Sequence, residues 1–570
     1  MNSADAVMPA TPPTLSALDV VKLYHDRSKH RFEAYAQGPG MLDWDAQPAS
    51  FRRYEGAPTV VLPLLSDGPQ DDLLHRALER PLSDLDCTPQ APTLPSLGAL
   101  LQLALGITAW KTLGPDRWAV RANPSSGNLH PVEAWLITRG IEGLADGVHH
   151  YRPEDHVLEL RARDDTATVP LQADAQLRIA LSSAMWREAW KYGERGFRYC
   201  QLDVGHAVSA LAHAAALLGW SIHERRPSSR SLAHRLGLDR ENDFPSSRHP
   251  ETEREEAEIL LAVGFDATPT PAPQPDPLLS PTNIQWFGKA SQLDPFPRYR
   301  WPLINDVARA TRRHDDVALD LTPAAPVPVW PGASATGHSA ADIMLARRSA
   351  QRFDSGKQMS HADFIDLLQV LGDRLQDGRL SASVSGMMAV LFVHRVDTLT
   401  PGIYLLAAGN TPPPAVSRGE PVATVFCARG ESAGLVRLRS VGQVELHRLA
   451  RSLHCHQDIA SNACLALGLI APFDDTVSAD PAAYRDLLRA AGQTGQALYL
   501  LAERLGLRGT GIGCFFDDPV HKVLGLSGSS HQTLYHFTIG LPIDDSRIES
   551  APAYPADRAT SQPAKRTPTP

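Results

Sequence analysis

One set of landmarks occurs twice along these 570 residues, in the same order. Arg27-Ser28-Lys29-His30-Arg31-Phe32 and Arg348-Ser349-Ala350-Gln351-Arg352-Phe353 agree at four positions of six. Gly205-His206 opens a helical run ending at Leu217-Leu218-Gly219-Trp220, and Gly492-Gln493 opens one ending at Arg504-Leu505-Gly506-Leu507. Each run is followed by Leu-Gly-Leu, at Leu236-Gly237-Leu238 and at Leu524-Gly525-Leu526. The last two pairs share nearly the same offset. The first pair is set further apart, so the first copy carries extra residues in its middle. Three landmarks in one order argue for a duplicated domain.

Proline supplies the punctuation between the copies. Residues 267–282 (ATPTPAPQPDPLLSPT) have proline at nearly every second position. Neither a helix nor a central strand tolerates that, so the stretch reads as an extended linker. Residues 1–12 and 550–570 have the composition of disordered ends. The two copies are therefore expected at 13–266 and 331–549, with 283–330 as a bridging segment that pattern alone assigns to neither. Val204, Ala207, Leu211, Ala215 and Leu218 recur at spacings of three and four, which predicts a helix over 204–220, and 496–505 repeats the pattern. Residues 132–138, 258–265, 389–395 and 534–541 read as strands. This interleaving is that of an α+β fold.

Composition narrows the function classes. Lys+Arg 55 against Asp+Glu 64 leaves a net charge of −9, so no basic stripe points to nucleic acid or an anionic membrane. The six cysteines are scattered without a CxxC pair, which argues against a disulfide framework or a zinc ribbon. His454-Cys455-His456 with Cys464 is a poor metal set, because neighbours on a helix point to different faces. No metal is expected. The first residues lack a basic stretch followed by an apolar run, and no apolar run is long enough to span a bilayer, so the expected location is the cytoplasm.

Four segments could carry chemistry. Residues 121–131 (RANPSSGNLHP) stand before a predicted strand. Pro124 fixes a bend, Gly127 permits close backbone approach, and Ser125, Ser126 and Asn128 offer short polar groups suited to gripping a polar heterocycle. An ordinary Asn-Pro-Ser-Ser-Gly turn satisfies the same pattern. Arg347, Arg348, Ser349 and Arg352 could fork onto a phosphate, or could be a solvated basic helix end. Residues 509–518 (GTGIGCFFDD) lack the last glycine of a dinucleotide fingerprint and follow a helix rather than a strand, so a Rossmann site is rejected. A glycine loop at Gly511 and Gly513 with backbone N–H groups facing a ligand stays open. In residues 187–199 (REAWKYGERGFRY), Lys191 among aromatics and three arginines would have a lowered pKa, as a general base requires; an aromatic-basic surface helix end reads equally well. No G-x-S-x-G or H-E-x-x-H occurs.

Taken together, YHDRSKHRFEAY, PSSGNLHPVEAW, GVHHYRPEDHVLEL, WKYGERGFRYCQLDVGH, ARRSAQRF, PGIYLL, GTGIGCFFDD and YHFTIGLP resemble the nitroreductase-like flavoproteins, specifically the SagB-type dehydrogenase branch. That resemblance implies FMN held between two subunits, here two tandem nitroreductase-like domains fused as an intramolecular pseudo-dimer. The second half keeps the RRS arm and the glycine loop, and the first keeps the PSS loop. Their counterparts are DRSKHR and SIHERR in the first half and SVSG in the second, which look degenerate. The implied site is one FMN per chain, bound by Pro124, Ser125, Ser126, Asn128, Arg347, Arg348, Ser349, Arg352, Gly511 and Gly513, with Arg547 as a late phosphate contact. Lys191 and Tyr192 stand where this branch has its catalytic Lys-Tyr pair. The implied activity is oxidation of azoline heterocycles in a modified peptide, with a peptide-modifying enzyme as partner. An NAD(P)H-dependent nitro- or quinone reductase acting on a small molecule and a non-catalytic flavin-fold scaffold are the alternatives.

Overall fold

Two antiparallel sheets carry the chain, and they repeat one strand order. The computed structural model describes residues 15–68, 72–85, 87–164, 175–265, 284–315, 327–328, 330–332, 337–376, 381, 384–408, 419–427 and 430–555. From edge to edge the first sheet runs Ile284–Trp286, Val157–Asp164, Gly147–Arg152, Val132–Arg139, Gln176–Ser183, Glu256–Gly264 and Ser221–Arg225, with Thr59–Val61 also paired to Val157–Asp164. The second runs Glu420–Phe426, Ser432–Ser440, Gly402–Ala408, Met388–Val393, Leu465–Pro472, His531–Gly540 and Arg508–Ile512. In both, the central strand is flanked by the next strand in the chain on one side and by a later one on the other. The expected strands at 132–138, 258–265, 389–395 and 534–541 all lie in these sheets. Met388–Val393 is buried at every residue, which is why its sequence is an unbroken apolar run instead of an alternating one.

The two 22-residue helices, Gly196–Leu217 and Ala483–Arg504, each pack on their own sheet and on each other. Gly205 and Gly492 mark where they cross. A Cβ on Gly205 would stand 2.1 Å from the carbonyl oxygen of Arg489, and one on Gly492 would stand 2.1 Å from that of Leu202. The contact is reciprocal: each helix offers its glycine to the other's backbone. Both helices start well before the expected residues 204 and 496. Their first turns carry Arg198, Asp203, Arg485, Asp486 and Arg489, polar residues that break the apolar period and yet are buried.

Those buried charges tie the two halves together. Asp517 accepts from Arg198 at 2.6 Å and from Arg195 at 3.1 Å, all three side chains being shielded from solvent. On the other side Glu258 accepts from Arg485 at 2.5 Å and from Arg489 at 2.6 Å. Removing one partner of such a pair is far costlier than the pair is stabilising, so these contacts enforce one arrangement of the halves.

Two boundaries differ from expectation. The segment 283–330 begins by folding into the first half: Ile284–Trp286 extends its sheet, Lys289–Ala290 pairs with Tyr54–Glu55, and the helix Pro302–Ala310 packs on the helix Ala17–Arg27. Order also continues past Ser550. Glu549–Ala551 pairs with Ile107–Leu113, and the buried Tyr554 hydroxyl accepts from the Ile107 N–H at 3.0 Å and donates to the Pro153 carbonyl at 2.9 Å. An aromatic anchor five residues beyond Glu549 outweighs the polar composition around it. The proline-rich stretch 267–282 and residues 1–12 lie outside the described residues. No helix among the described residues is long and apolar enough to cross a membrane.

Candidate active site

A cavity of about 840 Å³ opens between the two halves. Both contribute to its wall, and most of the residues singled out from the sequence meet there: Pro124, Ser125, Ser126, Asn128 and Tyr192 from the first half, Arg347, Arg348, Ser349, Gly511 and Gly513 from the second.

The loop at residues 124–128 is fixed by its own polar groups. Ser125 Oγ accepts from the His130 N–H at 2.8 Å, and Asn128 Nδ2 donates to the Ala119 carbonyl at 2.9 Å. The Ser126 N–H and hydroxyl both reach the Asp203 carboxylate at 3.2 Å. Asp203 is buried, and burial pushes its carboxyl up to about 7 against the hydrogen bonds from Ser125 and Ser126. Gly127 has φ 60° and ψ 10°, left-handed backbone that favours glycine. It also leaves room for what lies against it: a Cβ there would be 2.4 Å from Tyr192 Oη and 3.0 Å from Lys191 Nζ.

Lys191 and Tyr192 end the helix Trp186–Tyr192. Lys191 lies over the rings of Trp44, at 5.1 Å, and Tyr192, at 5.3 Å. Its ammonium pKa is lowered by partial burial, with Glu188 pulling the other way. The expected contribution from three arginines is absent. Arg187 donates to Glu133 at 2.6 Å, and Arg195 and Arg198 are neutralised by Asp517, so the segment is a buried network and not a surface helix end. Burial raises the Tyr192 hydroxyl well above its usual value, which keeps it a donor. Glu188 is raised strongly too, by burial first and then by Asp203.

The arm at residues 347–349 follows a helix, Ala340–Ala346, started by a Ser339–Asp342 capping box. Arg347 leaves that helix in extended conformation (φ −49°, ψ 124°) and reaches into the first half, donating from Nε to Ala122 at 2.6 Å and from Nη2 to Arg121 at 2.8 Å. Its Nη1, buried on the cavity wall, has no hydrogen-bond partner among the described residues. Ser349 Oγ meets Tyr499 Oη at 2.8 Å, and the same hydroxyl accepts from the Gly511 N–H at 2.8 Å. Gly511 and Gly513 are there for space: Cβ atoms would fall 1.7 Å from Tyr535 Oη and 2.2 Å from Tyr199 Cε1. The glycines belong to the edge strand Arg508–Ile512 and the turn after it rather than to a free loop.

Two expected ligands do not line the cavity. Arg352 is exposed, its carbonyl held by the Ile543 N–H at 3.0 Å. Arg547 is 75% exposed and bonded to Asp545 at 2.6 Å. The cationic end of the cavity is made instead by Arg347, Arg348, Lys111 and Arg508. Burial and the neighbouring Arg348 lower the Lys111 ammonium, and burial and Arg347 take the Arg348 guanidinium down to about 10. Lys111 and Arg508 went unnoticed because a single cation in a strand carries no pattern. Asp203 and Glu188 lay within the highlighted segments, but their role appears only once the Ser126 loop is folded against them.

The mirror position, reached by exchanging the roles of the two halves, looks different. Ser221–Arg225 takes the sheet edge that Arg508–Ile512 takes in the other half. Beside it Arg226, Arg485 and Arg489 interlock with Glu224, Glu258 and Asp486, leaving a void of about 30 Å³.

Residues 344–541 match the family model described as the nitroreductase family. A Methanocaldococcus jannaschii protein named as a nitroreductase is 30% identical over 135 residues, which cover 22% of this chain and 65% of that protein. The chain thus spans 65%, less than two thirds, of the length of this relative. A crystal structure of an Anabaena variabilis protein, also named as a nitroreductase, superposes with a TM-score of 0.63 at 20% identity, over 92% of this chain and 99% of that one. That likeness, at such identity, is one of fold, and it runs through both sheets. The second half of this chain, over residues 344–541, is therefore a nitroreductase family domain.

Proposed function

We propose that the chain is an FMN-dependent oxidoreductase of the SagB type that oxidises azoline rings in a modified peptide, with one flavin site formed between two fused nitroreductase-like domains. The observation that carries this reading is the composite cavity, in which the serine loop and Tyr192 of one half face the arginine arm and glycine strand of the other, with Lys191 beside Gly127 but not itself on the cavity wall. The repeated strand order and the reciprocal glycine contact support an internal pseudo-dimer across the domains 13–266 and 331–549.

The residues present fit FMN. Arg347 Nη1 is an unpartnered buried donor, and Arg348, Lys111 and Arg508 surround the same end with positive charge suited to a phosphate. Gly511 and Gly513 keep a flat wall where side chains would intrude. Pro124, Ser125, Ser126 and Asn128 would hold the ring side. The filled mirror position supports a single site per chain. When bound, FMN would supply a hydride acceptor, chemistry that no side chain provides.

The chain's own residues account for the rest. Lys191 Nζ, its ammonium pKa lowered by desolvation, takes the proton that must leave the heterocycle beside the departing hydride. Tyr192 Oη, a persistent donor packed on Gly127, orients the ring nitrogen or heteroatom. Asp203 holds the Ser126 loop in register. Beside the lysine, Trp44 is 58% exposed, an apolar surface suited to a peptide. Making the azoline substrate calls for a separate cyclising enzyme as partner.

Lys191→Ala tests the reading. Azoline oxidation by the flavin-loaded variant should fall by about 10²–10⁴-fold. Unchanged turnover, or NAD(P)H-driven nitro or quinone reduction that ignores the substitution, would favour the reductase alternative.

A further inference from the structure

The cysteine in His454-Cys455-His456 meets partners that the sequence does not reveal. The helix Gln443–Leu453 ends just before it, and Cys455 and His456 are both left-handed, at φ 52° and φ 60°. Two successive non-glycine residues in that region are strained, and such strain concentrates at functional sites. The flanking histidine and the later cysteine turn elsewhere: His454 Nε2 pairs with His536 Nδ1 at 2.7 Å, and Cys464 donates to the Lys357 carbonyl at 3.6 Å. Cys455 instead faces Cys514 and His30, one side-chain atom of each lying within 4.8 Å of the others. Cys514 is on the cavity wall, directly after Gly513. Both thiols are half-buried and neither is in a disulfide.

Two thiols and an imidazole could hold a cation or could form a redox pair, and the tautomer of His30 separates the two. The Ala36 N–H donates to His30 Nδ1 at 2.9 Å, so that nitrogen carries the lone pair. Burial and Arg195 disfavour the doubly protonated ring. The proton of the neutral ring is therefore on Nε2, which makes that nitrogen a donor instead of a metal ligand. A donor beside a sulfur stabilises a thiolate. Arg195 adds positive charge, its guanidinium bonded to the carbonyl next to Cys514 at 2.8 Å. Gln457 Nε2 donates to the Cys514 carbonyl at 3.2 Å, so the turn carrying Cys455 is already fastened to the strand end carrying Cys514.

We propose that Cys455 and Cys514 are a hydroperoxide-reactive dithiol that closes to a disulfide at the cavity wall. The Cys514 thiolate attacks one oxygen of hydrogen peroxide. An S–O bond forms, the O–O bond breaks, hydroxide leaves, and the sulfur is oxidised by two electrons to a sulfenic acid. Cys455 then attacks that sulfur. The S–S bond forms, the S–O bond breaks, and the hydroxyl leaves as water with the Cys455 proton. One thiolate, one thiol and one peroxide thus give a disulfide, water and hydroxide. Arg195 at the adjoining Gly513 carbonyl and the place of Cys514 on the cavity wall, where Cys455 is not, assign Cys514 as attacker and Cys455 as resolver; the hydrogen bond from Cys455 lowers the Cys514 thiol in the same direction.

The test uses the reduced full-length chain, treated with equimolar hydrogen peroxide and mapped by peptide mass spectrometry. The expected result is a Cys455–Cys514 disulfide, formed at least about tenfold faster than modification of any other cysteine. Its rate should be flat by neutral pH, not still climbing toward the ordinary thiol value of about 8.5. Cys455→Ser should leave Cys514 trapped as a dimedone-reactive sulfenic acid, and Cys514→Ser should leave Cys455 unmodified. Bonds to other cysteines, or a rate still rising at pH 8, would overturn the proposal. So would stoichiometric zinc binding by the wild-type chain that either serine substitution abolishes. Mapping of the wild-type chain decides the matter even if a variant fails to fold.

Discussion

Asp517→Asn is a sharp perturbation of how the halves are joined. The carboxylate accepts from Arg198 at 2.6 Å and from Arg195 at 3.1 Å, and also from the His30 N–H at 3.1 Å. The two guanidinium groups hold this carboxyl far below the usual carboxylate range even though burial alone would raise it. Asparagine keeps the shape but leaves two buried cations with no counter-charge. Breaking a buried pair from one side costs about 3–5 kcal/mol. At about 2–4 °C per kcal/mol for folding units of 150–250 residues, the thermal midpoint should drop by about 6–20 °C. Asp518→Asn is the control: its pair with Lys29 is partly exposed, and its loss should cost about 1 kcal/mol or less. Differential scanning calorimetry of both variants at neutral pH reads the contrast. Equal midpoints for the two variants would refute the claim that the buried triad, rather than apolar packing alone, fixes the arrangement. The sign with pH follows from the same depression. A carboxyl lowered in the folded state stabilises fully above its unfolded value near 4, and the contribution fades as pH falls below it. Asp517→Asn should remove that component of acid sensitivity.

Further outcomes follow from single contacts. Asp203 has the opposite sign: with a folded value of about 7 against 3.8, it favours the folded state at low pH and loses that contribution as pH rises from about 4 to 7. Asp203→Asn should flatten the denaturation midpoint between pH 5 and 8 relative to the wild type; an unchanged slope would contradict the assignment. Gly127→Ala forces a left-handed alanine, at about 1–2 kcal/mol, and drives its Cβ toward Tyr192 Oη, 2.4 Å away. In a Tyr192→Ala background the clash with Tyr192 should vanish, leaving the backbone part and the Lys191 Nζ contact at 3.0 Å, and giving a coupling of at least about 0.5 kcal/mol in a double-mutant cycle.

Much of the fold was legible because it depends on short-range pattern. The strands at 132–138 and 389–395 are apolar runs, and Gly205 and Gly492 stand out because a helix crossing admits no side chain there. The composite character of the site was legible in its unequal motifs, PSSGNLHP in one half and RRSAQRF in the other. What stayed hidden depends on partners far along the chain. Arg195 and Arg198 look like charges pressing on Lys191 until Asp517 arrives from more than 300 positions away. Arg352 and Arg547 match a phosphate-binding pattern, but a cation's direction is set by tertiary packing. Arg547 lies beside Asp545 and turns to it, while Lys111 and Arg508 reach the cavity with no motif to announce them. Tyr554 shows the same limit at the chain's end, since one buried hydroxyl holds a segment whose composition reads as disordered.

The account's central claim is a single flavin site drawn from both halves, and cofactor stoichiometry tests it most directly. Absorbance of the purified full-length chain after loading with FMN, with the released cofactor identified, should give one FMN per chain. Arg348→Ala in the second half and a Ser125/Ser126 double alanine change in the first should each abolish retention. Two flavins per chain would contradict the filled mirror position. No retained flavin, even in excess FMN, would contradict the cavity's assignment and leave a scaffold with a flavin fold.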